Sequence, residues 1–136
     1  MTDRRIRVVV SALDQFIDGI IKKLVLDIVA NLRSAPNTGY GTPVDTGWAR
    51  ANWIPQIGSP RQSAEGSREA VSSGAQDAGV ALVATAYKRE QGPVFISNNV
   101  PYIVLLNEGS SKQAPRGFVQ NAITKAVKVD LFGGTI

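Results

Sequence analysis

The stretch from Ser11 to Ala35 constrains the fold more than any other part of the chain. Leu13, Phe16, Ile17, Ile20, Ile21, Leu24, Val25, Ile28, Val29 and Leu32 recur at spacings of three and four, which lines one side of a helix with apolar side chains. The spacing predicts a helix from Ala12 to Arg33, about 33 Å long at ~1.5 Å per residue. A rod of that length crosses a small domain from end to end, so the remaining elements must pack along it. Ser11 and Asp14 stand as a capping box at its start, and Arg33 suits the negative end of the helix dipole. A strict heptad is not sustained, which favours a core helix over a coiled-coil strand. The preceding RRIRVVV reads as a strand.

With 136 residues the chain has room for one hydrophobic core around that rod and not for two. The expectation is a single domain, 1–136. The apolar run of the long helix is broken by Asp14, Asp18, Lys22, Lys23 and Asp27, so it lacks the roughly 20 apolar residues of a membrane span. MTDRRIRVVV lacks the apolar core and small-residue cleavage site of a secretory signal. A soluble protein with no membrane contact is expected.

After the rod, SAPNTGYGTP is rich in turn formers and reads as an exposed connector. Asp45 then stands as N-cap of a two-turn helix from Thr46 to Asn52. So short a helix is unstable alone and needs tertiary packing. Trp48 and Trp53 supply it, each able to bury on the order of 200 Å². Five residues apart on a helix they point roughly 140° away from each other. Either one enters the core while the other meets a sheet face or a neighbouring subunit, or both are core with Trp53 already in a strand. WIPQI reads as that strand, confined by Pro55 to an edge or a bulge.

From Gly58 to Gly79 the only large aliphatic residue is Val71, so burial cannot order the segment. A flexible loop or arm at 58–79 is expected. VALVATAYKRE is compatible with a helix. PVFISNN is the best strand, with Val94 and Ile96 on one side and Phe95 and Ser97 on the other. PYIVLLNEG reads as a short helix carrying Pro101 in its first turn, Tyr102, Leu105 and Leu106 as its apolar face, and Gly109 as the left-handed residue after it. PRGFVQNAITKAVKV is the last helix, burying Phe118, Val119, Ala122, Ile123, Ala126 and Val127. The fold class is α+β: a long N-terminal helix and shorter helices packed on a small, mainly antiparallel β-sheet.

Catalytic chemistry finds little to work with. The chain has no His and no Cys, which removes the commonest general base, thiol nucleophiles and the usual zinc ligands. No phosphate-cradling GxxxxGK[ST] or GxGxxG occurs. A Ser-x-x-Lys pair ending at Lys112 needs a serine where Gly109 stands. Asp45 and Glu108 are explained by a helix end and by solvent rather than as an acid–base pair. An enzyme is not expected, nor any cofactor or metal. The net charge of +4, from 15 Lys and Arg against 11 Asp and Glu, permits contact with a polyanion without requiring it. Lys88, Arg89, Lys112, Arg116, Lys125 and Lys128 are the candidate DNA-facing residues, in sequence-independent phosphate contacts weakened by salt.

Three separated motifs, TPVDTGWARANW, SNNVPYIVLLNEG and SSKQAPRGFVQNAI, occur in an order that resembles the small tail-completion or neck proteins of long-tailed bacteriophages, the minor tail components related to the lambda-type Z protein. The resemblance spans roughly residues 10–128. It rests on Pro43, Asp45, Thr46, Gly47, Asn98, Asn99, Pro101, Tyr102, Glu108, Gly109, Lys112, Gln113, Ala114 and Pro115, and departs from the family at Trp48, where a basic or polar residue is usual, and over 58–79, which aligns with nothing firm in it. The resemblance implies a non-enzymatic virion protein of the neck, made in the host cytoplasm and built as a six-subunit ring. Its neighbours there are connector or head-completion proteins on one side and tail-tube or terminator proteins on the other, with non-specific contact to DNA in the channel. A tail terminator capping the tube is the alternative within that setting, and a basic nucleic-acid-binding module the alternative outside it. Trp48, Trp53, the 58–79 segment and RRIRVVV join the motif residues as candidate interface.

Overall fold

A computed structural model describes residues 3–133. It shows the α+β architecture: helix α1 (Arg4–Leu32), α2 (Trp48–Ala51), strand β1 (Ile54–Ile57), α3 (Gly74–Ala86), β2 (Val94–Ser97), α4 (Ile103–Asn107) and α5 (Phe118–Phe132), with short 3-10 turns at Pro36–Thr38 and Arg89–Gln91. β1 and β2 form a two-stranded antiparallel sheet in which Ile54 faces Ser97 and Ile57 faces Val94. Both strands are edges, which is where Pro55 is tolerated.

The long helix begins eight residues earlier than its apolar spacing indicates. RRIRVVV is helical and not a strand, and the N-cap is Asp3, whose carboxylate accepts from Arg5 N at 2.8 Å, rather than Ser11. Local β preference in three consecutive valines is overridden because elongating an existing helix avoids a second nucleation. At its other end Val25, Val29 and Leu32 are buried. Leu32 packs with Trp53, Ala114, Phe118 and Ala122, while Val25 packs with Val83 and Tyr87 against Ile57, Val94 and Ile96. The side of β2 carrying Val94 and Ile96 is therefore the packed one, as its alternation indicates.

α5 lies antiparallel on α1: Asn31 Nδ2 donates to Ala122 O at 3.0 Å near one end, and Lys23 Nζ lies 3.0 Å from Asp130 near the other. Phe118, Ala122 and Ala126 form its buried edge, whereas Ile123 is exposed, contrary to expectation. Burial pushes the Asp130 carboxyl up, while the hydrogen bond to Asp27 and then the ion pair with Asp130 raise Lys23. Burial also pushes Asp27 upward, but the hydrogen bond from Lys23 works against it and the carboxyl is lowered. This cluster fastens the end of α5 to α1.

The connector after α1 is not exposed throughout. Gly41, Thr42 and Pro43 are buried. Thr42 Oγ1 donates to Leu32 O at 2.7 Å and accepts from Trp53 Nε1 at 2.8 Å, so one hydroxyl ties the end of α1 to the indole. Turn-forming composition marks the change of direction and is blind to such a bond. α4 is corrected too: Ile103 and Leu106 face the core, and Leu105 is exposed. Gly109 has the left-handed φ, +96°, that its place after the helix indicates.

Candidate functional site

The structure brings the three motifs to one place. Pro43, Val44, Asp45 and Gly47 of the first, Tyr102 and Leu106 of the second, and Ser111 and Gln113 of the third line a crevice of about 70 Å³. Gln113 closes it. Its side-chain oxygen accepts from Val44 N at 2.8 Å and its amide nitrogen donates to Val44 O at 2.8 Å. A glutamine here completes both backbone groups of one residue, the pairing a neighbouring strand supplies in a sheet. Removing it leaves both without that partner. Gln113→Ala is expected to lower stability by about 1 kcal/mol and to speed hydrogen exchange at Val44 N–H, read by NMR. Unchanged exchange at that amide contradicts the clasp.

The remaining motif residues lie outside the crevice. Asn98 Nδ2 donates to Ala49 O at 2.9 Å, and its oxygen accepts from Val100 N at 3.1 Å. Asn99 Nδ2 donates to Arg61 O at 2.9 Å. At the end of α4, Asn107 accepts from Gly117 N through its backbone and from Val119 N through its side chain, which joins the second motif to the start of α5. Pro115 and Glu108, with Gly109, Lys112 and Arg116, border an open depression against the Pro36–Gly39 turn. Pro101 is in the turn before α4 rather than in the helix.

Asp45 does not cap α2. The N-cap is Gly47 at φ +92°, a conformation glycine adopts freely, and Thr46 Oγ1 accepts from Trp48 N at 3.3 Å. α2 is accordingly one turn, Trp48–Ala51, rather than Thr46–Asn52. Asp45 pairs instead with Arg68, whose guanidinium lies 5.7 Å from the centroid of the Tyr102 ring. Trp48 meets Tyr102 edge-on, with centroids 6.0 Å apart. The two indoles divide the work. Trp53 is 7% exposed in the core, while half-buried Trp48 donates from Nε1 to Glu65 O at 2.8 Å.

That bond bears on the segment expected as a loose arm. Its irregular part ends at Ser73, because α3 starts at Gly74. Between, Asn52 grips Glu65 on both sides, donating to its carbonyl at 3.1 Å and accepting from its N–H at 2.7 Å. The Glu65 carboxylate accepts from Ser72 Oγ at 2.6 Å and from Ala75 N at 2.7 Å. Hydrogen bonds replace the burial that the composition lacks. Those from Ser72 and then Ala75 hold the Glu65 carboxyl below the ordinary carboxylate range. A lowered acid stabilises the fold above its unfolded value, about pH 4, and the contribution is lost as pH falls through the folded value. Glu65→Gln is therefore expected to increase proteolytic cutting between 58 and 73 at neutral pH and to abolish the acid-induced rise in cutting seen in the parent. An unaltered pH profile contradicts this role.

The basic candidates separate into two groups. Arg89 is paired with Asp14 and Asp18 of α1, so its charge is answered within the fold, and Lys88 lies beside it on the same shallow surface. Lys112 and Arg116 flank one side of the Pro36–Tyr40 turn, and Lys125 and Lys128 the other, both pairs bordering depressions that include Gly39. None of these four forms an ion pair among the described residues, and Lys125 stands 6.0 Å from the Tyr40 ring centroid. Sequence reasoning named the cations and missed the turn that gathers them.

Among the described residues no group of three or more acidic side chains is placed to hold a metal ion, and no helix is long and apolar enough to cross a membrane. No protein-family model matches the chain, and no curated protein or solved structure matches it either.

Proposed function

We propose that this chain is a structural protein of the bacteriophage head–tail junction, completing the tail end that meets the head by assembling as a ring, with six copies as the expected number. The observation that carries the reading is the convergence of TPVDTG, PYIVLL and KQAP on one crevice closed by Gln113. Residues that resemble a neck-protein pattern act as clasps and supports of a shaped surface, and none is set up as a nucleophile or base. Connector or head-completion proteins and tail-tube or terminator proteins are the partners of such a ring. Capping of the tube as a terminator follows from the same surfaces and differs in location.

A phage carrying a stop codon in this gene is expected to accumulate filled heads and separate tails, joined when the purified protein is added. Normal particles from that mutant contradict the reading. A nucleic-acid module is the second reading, favoured by Lys112, Arg116, Lys125 and Lys128 gathered around Gly39. It requires that the isolated protein retard duplex DNA with a steep dependence on salt.

A further inference from the structure

α1 is about 43 Å long at ~1.5 Å per residue, and its partners cover only part of it. Two series of residues seven apart, Ile6-Leu13-Ile20 and Val10-Ile17-Leu24-Asn31, run along one side of the helix. At the far end Asn31 donates to Ala122 of α5, so α5 covers that side over the second half. α5 has passed Asp130 at the level of Lys23 and ends at Phe132. Nearer the start the same side is bare: Ile6, Val9, Val10, Leu13 and Phe16 are each 50–65% exposed. Together they present on the order of 500 Å² of apolar surface, against ~800 Å² per partner in a standard protein interface.

A second apolar patch lies at the opposite end. Trp53, Ile103, Val104, Asn107, Glu108 and Val119 line a groove of about 270 Å³, with Val104 itself 64% exposed. Trp53, Ile103 and Val119 pack in the cluster around Leu32, about 28 Å along the helix axis from Leu13. Arg4, Arg5 and Arg7 accompany the bare helix, with Asp3 beside Arg5, and Glu108, which forms no ion pair among the described residues, stands at the groove, with Lys112 and Arg116 on the adjoining depression.

We infer that the first four turns of α1 dock in the Trp53–Val104 groove of a second copy of this chain, with the arginines towards Glu108. Pairing two bare helices uses the same patch on both copies and stops at a dimer, whereas helix into groove joins unlike patches and leaves one of each free for the next copy. Two unlike patches at opposite ends generate a head-to-tail contact, which closes into a ring when the rotation per copy permits. The inference rests on the ring reading and assigns its seam.

The test uses the full chain in sedimentation analysis. Leu13→Asp with Phe16→Asp removes the helix patch, and Val104→Asp removes the groove. Each is expected to be monomeric, with association weakened at least about 100-fold, and to keep its circular dichroism because the altered side chains are exposed. Mixing the two variants is expected to give a dimer and nothing larger, since each mixed pair retains one intact junction. If the double variant loses helicity, Leu13→Ser replaces it in the same mixture. A monomeric parent at all concentrations, a Val104→Asp variant that assembles like the parent, or a mixture without dimers overturns the inference. A parent ring that tolerates both changes removes this seam and leaves the ring standing. Failure of the stop-codon phage test removes the neck reading and leaves the seam.

Discussion

Trp53→Ala is expected to remove about 3–5 kcal/mol of stability, the usual cost of truncating a large buried aromatic. Domains of this size are stable by only about 5–15 kcal/mol, so a large share of the total is at stake. The indole fills the space between Leu32, Ala114 and Phe118, and its N–H is satisfied by Thr42 at 2.8 Å. The melting temperature should fall by about 10–20 °C. Trp48→Ala should cost less, about 1–2 kcal/mol, because the ring is half-buried and its bond to Glu65 O is backed by Asn52 at 3.1 Å. Its main consequence is a looser 58–73 segment on a folded body. Equal losses at the two positions contradict the division of work between them.

Gly79→Val is expected to destabilise the protein by about 3 kcal/mol, towards the upper end of the usual cost of overpacking. Gly79 is inside α3, where an added side chain is ordinarily favourable to the helix by up to ~1 kcal/mol. Here the helix lies directly on β1, and a Cβ overlaps the Pro55 carbonyl oxygen and sits 3.1 Å from Pro55 Cδ. Backbone in a paired strand cannot yield as the end of a flexible side chain does, so the steric cost exceeds the gain in propensity. Gly19 is the internal control. It is also helical, and a Cβ there meets nothing within 4 Å. Gly19→Ala is expected to stabilise by up to ~1 kcal/mol. Urea midpoints should move in opposite directions for the two variants; a stabilising Gly79→Val contradicts the close approach of α3 to β1.

The elements that depend on apolar period were legible in the sequence. The second half of α1, the packed side of β2 and the buried edge of α5 at Phe118, Ala122 and Ala126 follow from spacing alone. Those that depend on a particular polar bond were not. Nothing in GSPRQSAEGSRE reveals that Glu65 is gripped by Asn52, because the bond spans 13 positions and uses backbone atoms common to every residue. The Val44–Gln113 clasp spans 69 positions and is hidden for the same reason. RRIRVVV misled through local preference: three valines favour a strand, and only continuity with the helix behind them decides otherwise. Of the residues in the three motifs, Pro43, Asp45, Gly47, Tyr102 and Gln113 line one crevice, a gathering that no spacing in the sequence reveals, and the seven-residue apolar series came into view only once α1 was seen to start at Arg4.

Electron cryo-microscopy of mature phage particles, with this chain traced in the density, tests most directly whether it serves as a shaped subunit of the junction. A closed ring of copies between head and tail is the expected result. Complete particles whose neck is filled by other chains, with no copy of this one, contradict it.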